Sequence, residues 1–172
     1  MSIPGEPRLT HVDEAGAARM VDVSGKAVTV RSATASGRVL VSPEVVALLR
    51  QGGVPKGDAL AVARIAGIQA AKRTPDLVPL CHPVAIHGVD VDVAVADDAV
   101  HVSATVRTAD RTGVEMEALT CVAVAGLALV DMVKAVDRAA TITDVRVEHK
   151  SGGRSGEWRR GAGSPAGPSA AS

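Results

Sequence analysis

Between Ala118 and Val130 only Thr120 is clearly polar. A helix lying on one face of a single sheet needs just one apolar stripe. Here the apolar surface runs nearly all the way round, so a sheet on one side leaves the rest uncovered. A second partner has to cover it, and the expected partner is another copy of the chain. The unbroken apolar run, Cys121 to Val130, is ten residues, well short of the ~20 that cross a bilayer.

The core that receives this helix lacks the usual large side chains. The 172 residues include no Phe, no Tyr and only Trp158. Val, Ala, Leu and Ile pack densely but bury less area each than aromatics do, which again favours assembly. The length suits one ordinary domain. Net charge is zero, which argues against a nucleic-acid binder relying on phosphate neutralisation and against a polybasic membrane binder. Stacking platforms for single-stranded bases are missing as well. The start, MSIPGEPRLT, has no basic stretch followed by an apolar run. Cys81 and Cys121 have no spacing that suggests pairing, and a cytoplasmic setting is expected.

Residues 1–10 carry two prolines and a glycine and read as a flexible N-terminus, residues 11–158 as a single α+β domain, and residues 159–172 as a disordered tail rich in Gly, Ser, Pro and Ala. Inside the domain the periodicities alternate. Val21 to Val30 and Arg38 to Val41 show period-two patterns around Gly25 and Gly37 and read as strands. Ser42-Pro43-Glu44 opens a short helix that Gly52-Gly53 ends. Asp58 to Arg73 predicts a helix that stops before Thr74-Pro75. Alternation from Val89 to Val95 and from Val100 to Val106, joined by Asp97-Asp98, predicts an antiparallel hairpin with one buried and one wet face. Gly113 to about Arg138 predicts a long helix, and Asp144 to Lys150 a last strand. Counted from the strand ending near Arg31, and with the short segments that follow it set aside, the order is strand, helix, strand, strand, helix, strand, that of a ferredoxin-like split βαβ sandwich, an antiparallel sheet with helices on one face.

Charge returns at the end of the long helix in Asp131 and Lys134, three residues apart on one helical face. In a partly dry site such a pair is a proton donor and acceptor; on a wet surface it is an ion pair contributing ~0.3–0.5 kcal/mol. Glu115 and Glu117 open the same helix, where first-turn carboxylates interact favourably with its N-terminus. Fourteen residues separate Glu117 from Asp131, about 21 Å along the axis, so one straight helix cannot bring both to one bond. Leu80-Cys81-His82-Pro83 precedes the hairpin. Its Cys–His pair lacks the further ligands of a tetrahedral metal site. Extended neighbours also point to opposite faces, so substrate contact is favoured over covalent catalysis. Arg31, Lys56, Arg64, Lys72 and Arg73 read either as solvated surface or as a collective anion site. Gly152-Gly153-Arg154-Ser155-Gly156 with Lys150 could wrap an anion.

Five segments together resemble the MoaC family of cyclic pyranopterin monophosphate synthases. They are Met20-Val21-Asp22-Val23-Ser24, Ala63 to Lys72 continuing to Leu80-Cys81-His82-Pro83, Gly113 to Thr120, Asp131 to Asp137, and Lys150 to Gly156. They come in the family's order and cover about residues 9–158. The resemblance implies an enzyme of molybdenum-cofactor biosynthesis. Its reaction rearranges a cyclised GTP intermediate, 3′,8-cyclo-7,8-dihydro-GTP, to cyclic pyranopterin monophosphate with release of pyrophosphate. It also implies ferredoxin-fold subunits in dimers and then hexamers, with active sites between subunits. Asp131 falls on the catalytic aspartate and Lys134 on the lysine that works with it. Leu80, Cys81, His82, Met116 and Glu117 fall on substrate-binding positions, and Lys56, Arg31 and Lys72 on positions associated with the phosphates or catalysis. No metal and no resident cofactor are expected; a divalent cation accompanying the triphosphate stays open. Arg154 replaces the usual second lysine of the glycine-rich loop, which puts that loop's catalytic role in doubt, and Arg111 receives no role. A regulatory ligand-binding module built on the same fold is the competing reading.

Overall fold

The computed structural model describes residues 11–13, 15–54 and 58–161. The strand expected from Val21 begins only at Thr29. Asp22 Oδ1 accepts the Ser24 N–H at 2.8 Å and the Lys26 N–H reaches Val23 O at 3.0 Å. Local turn chemistry therefore overrides the alternation. From there one long strand, β1 (Thr29–Leu40), continues through Arg38 without a break at Gly37. A Cβ at Gly37 would stand 2.7 Å from Val122 Cγ1, so this glycine lets a helix lie close on the strand.

Two helices follow as expected. Ser42 and Pro43 open α1 (Pro43–Gln51), and Gly52 closes it at φ 67°. Asp58 accepts the Ala61 N–H at 2.9 Å to cap α2 (Ala59–Ala71). A single further turn, α3 (Thr74–Leu77), surrounds Pro75. The hairpin is β2 (Ile86–Val95) and β3 (Ala99–Asp110), the long helix is α4 (Glu115–Val133), and β4 (Thr141–Ser151) follows it. A short β5 (Trp158–Arg159) pairs with β4, and the Arg160 N–H donates to Glu148 O at 2.8 Å. Pairing along the chain thus runs past residue 158, where the tail was expected to begin; residues 1–10 and 162–172 lie outside the described residues.

The five strands form one antiparallel sheet in the order β2-β3-β1-β4-β5. Alternate β1 residues Ala33, Ala35 and Val39 are buried against α4. The opposite face carries hydroxyls: Ser32 meets Ser151 at 2.9 Å, and Thr34 meets Thr105 at 2.8 Å. By length and composition α4 would pass for a membrane span, but half of it is buried against the sheet and α2.

Small residues build the contact between α2 and α4, with Ala63, Ala118, Cys121 and Ala125 all fully buried. A Cβ at Gly67 would lie 2.9 Å from Cys121 O and 3.0 Å from its Sγ. Main-chain atoms of a packed helix cannot yield as a flexible side chain would. Gly67→Ala should therefore lower stability. Overpacking of about 1–3 kcal/mol outweighs the ~1 kcal/mol that alanine gains in helix propensity. Urea denaturation checks this, and an unchanged or raised midpoint would count against so close a crossing.

Candidate active site

A turn sets the Leu80–Pro83 segment, with the Cys81 N–H on Val78 O at 3.0 Å. Cys81 and His82 consequently line the same cavity, not opposite sides of an extended chain. His82 Nε2 lies 2.6 Å from Val21 O. A carbonyl oxygen only accepts, so that ring nitrogen carries the proton.

The cavity, about 250 Å³, brings Leu80, Cys81 and His82 together with Met116 and Glu117 from the first turn of α4. All five residues that the resemblance puts on substrate-binding positions are therefore gathered in one cavity. His11, Val84, Thr112, Gly113 and Glu115 complete the wall. Glu117 is only 3% exposed. Burial pushes its carboxyl above the ordinary range, and the Glu115 charge adds to the shift. Burial likewise raises the Cys81 thiol, helped by the Glu117 charge. Cys121, buried inside α4, is pushed up to about 12.

Across the shared wall of Thr112, Gly113 and Glu115 lies a second recess of about 150 Å³. Lys26, Arg31, Arg111 and Lys150 line it. Arg31 is held by its Nε on Asp110 O at 3.0 Å and its Nη2 on Arg111 O at 3.2 Å. Arg111 Nε in turn donates to Lys26 O at 3.0 Å. Lys150 Nζ bridges Glu115 at 3.2 Å and Ser155 Oγ at 3.4 Å. Gly152 and Gly153 adopt φ of 93° and 69°, and a Cβ on Gly153 would collide with the Arg31 guanidinium. Gly153 thus lets the loop lie directly on that cation, and Gly152 lets it lie on the β1 backbone at Val30 and Arg31. Four cations against one carboxylate leave the lining of this recess with an excess of positive charge.

Arg111, assigned nothing from sequence, and Lys26 are thus part of the recess; 85 residues separate them, and no local pattern could have paired them. Lys72 caps the C-terminus of α2, is exposed, and lines neither cavity. Lys56 lies outside the described residues.

Asp131 and Lys134 lie at the far end of α4, with Lys134 as its C-cap. Their charged atoms are 2.6 Å apart and both side chains are more than half exposed. Such a pair on a wet surface contributes about 0–1 kcal/mol. Its surroundings are not ordinary surface, because Val124, Leu127, Ala128 and Val130 form an apolar hollow around it. Among the described residues no group of three His, Cys, Asp or Glu side chains converges as metal ligands.

The MoaC family model matches residues 20–153. A cyclic pyranopterin monophosphate synthase of Streptomyces avermitilis is 73% identical over 157 residues, covering 91% of this chain and 92% of the relative. One of Streptomyces coelicolor is 74% identical, covering 90% and 91%. Cyclic pyranopterin monophosphate synthase 2 of Mycobacterium tuberculosis is 61% identical, covering 88% and 91%.

The buried carboxylate gives a prediction independent of any substrate. Because its pKa is raised, folded Glu117 keeps its proton to higher pH than the unfolded chain does. Stability therefore falls as pH rises from the ordinary carboxylate range through the raised value. Glu117→Gln should flatten that fall, as read by urea midpoints across the acid range. The same change removes a charge opposing Cys81 ionisation, so alkylation of Cys81 by iodoacetamide at about pH 8 should accelerate. A rate equal to the parent's would show that the two groups are not coupled.

Proposed function

The chain belongs to the MoaC family, and from that premise we propose that its paired cavities bind a cyclised guanosine triphosphate and convert it to cyclic pyranopterin monophosphate and pyrophosphate. Its place is in molybdenum-cofactor biosynthesis, as a synthase. The observation that carries the substrate assignment is the shared wall: a cavity suited to a heterocycle adjoins a recess of four cations suited to phosphates. A molecule with a base at one end and a triphosphate at the other matches both. Releasing pyrophosphate while forming a cyclic phosphate makes the enzyme a phosphorus–oxygen lyase.

Arg31, with Lys56, holds the phosphates in this reading, while Leu80, Cys81, His82, Met116 and Glu117 contact the ring system; Lys72, which lines neither cavity, serves the phosphates or catalysis only from a second copy. Asp131 moves protons during purine opening and pterin closure, and Lys134 stabilises the negative charge that develops. The ion pair stands one helix length from the cavity, so the centre is completed by the Asp131–Lys134 end of a second copy. Supporting this is the apolar hollow around the pair, with Leu127 60% exposed. The subunit reads as ferredoxin-like, which the antiparallel order β4-β1-β3-β2 supports, and the assembly as a homohexamer built as a trimer of dimers. Its setting is cytoplasmic, in keeping with two free thiols. No nucleic acid or membrane takes part.

Two measurements check this. Supplied with the cyclised GTP intermediate, the chain should release pyrophosphate and yield a fluorescent oxidised pterin; binding without release would favour a regulatory module. Asp131→Asn should keep its assembly and lose about 10²–10⁴ in rate, the range for a general acid or base, and full residual activity would sink the assignment. Leu127→Glu, a charge placed in the apolar hollow, should shift the chain to smaller species on size exclusion and reduce turnover with it. Unchanged size would place the subunit contact elsewhere.

A further inference from the structure

His11 stands in the wall of the heterocycle cavity beside Cys81, His82 and Glu117, yet it is seventy residues from the nearest of them in sequence. A small hairpin delivers it. Val12 and Ala18 form an antiparallel bridge, and the Arg19 N–H donates to His11 O at 2.9 Å. Asp13 organises the turn: its Oδ1 accepts the N–H groups of Ala15 and Ala17, each at 2.9 Å, and Gly16 takes φ 83°. An aspartate side chain accepting from its own following backbone is a turn-forming device. The returning strand is then tied to the cavity floor where Val21 O meets His82 Nε2 at 2.6 Å. An exposed N-terminal segment with no packing partner would gain nothing from being held so closely.

We propose that His11 is a substrate-contacting residue and that the His11–Arg19 hairpin is the cap that positions it over the heterocycle. The imidazole offers one donor and one acceptor, which suits the edge of a purine or pterin carrying ring N–H and carbonyl groups. Asp13 is a positioning residue that acts only through the hairpin. The inference rests on the reading that this cavity takes the heterocycle.

The test uses the full chain with His11→Ala, His11→Gln and Asp13→Ala, with KM and kcat for pterin formation and the urea midpoint measured for each. His11→Ala should raise KM by about 3- to 10-fold, the loss of one neutral hydrogen bond. Its unfolding midpoint should not move, since the side chain is exposed. Glutamine, which also carries a donor and an acceptor, should restore part of the loss, and Asp13→Ala should reproduce it. A His11→Ala enzyme with parental KM and kcat overturns the inference. If the parent chain turns nothing over, the synthase reading fails instead. Equilibrium dialysis with GTP then decides this one: weaker GTP binding in His11→Ala supports it, and equal binding overturns it.

Discussion

Two helices can lie as close as α2 and α4 do only where the residues between them are small, and the rest of this structure follows from that closeness. Gly67 has no room for a Cβ against Cys121, and Gly37 has none beneath Val122. With no Phe or Tyr available, the chain holds its longest helix by many short contacts. Dispersion falls off steeply with distance, so a core of Ala and Val stabilises only when backbones approach. The approach in turn fixes where each end of α4 lies. Its first turn is pressed into the body, burying Glu117, while its outer face leaves Leu127 in the open.

That placement sorts the carboxylates by environment. Glu117 is driven towards its neutral form by burial, with the Glu115 charge adding to it. Glu115 faces Lys150 at 3.2 Å and shares the wall between the heterocycle cavity and the cationic recess. Asp110 is held below the ordinary range, first by the Arg111 N–H, although burial opposes it. Its backbone carbonyl meanwhile fixes the Arg31 guanidinium. Cations gathered this way repel one another. The main-chain acceptors at Asp110, Arg111 and Lys26 keep the arginines oriented against that repulsion.

Local patterns carried most of the fold. The N-cap at Ser42, the αL glycine at Gly52 and the alternation of the β2–β3 hairpin all depend on neighbours within a few residues, so they were legible. Val21 to Val30 failed because apolar alternation and an Asx turn can occupy the same residues, and the turn won. The site was less legible from spacing. Only the family resemblance points to Leu80, Cys81, His82, Met116 and Glu117 as substrate contacts; their convergence needs the α3–β2 connection to meet the start of α4. Lys26, Arg31 and Arg111 are joined by contacts spanning 79 to 85 residues. No periodicity reports such contacts: on pattern alone solvated surface is the better account of Arg31, and nothing singles out Lys26 or Arg111.

The geometry of α4 also limits what one copy can do. The helix is continuous from Glu115 to Val133, so its two charged ends stay about 21 Å apart. No side-chain rotation closes that gap. An exposed Asp131–Lys134 pair is screened by water. Covering the apolar hollow around it with a second copy, as proposed, would strip that water away. The low dielectric then strengthens the coupling between the two charges and lets the approach of a substrate shift protons between them. The apolar excess of the helix and the reactivity of the pair at its end are, on that reading, two results of one subunit contact.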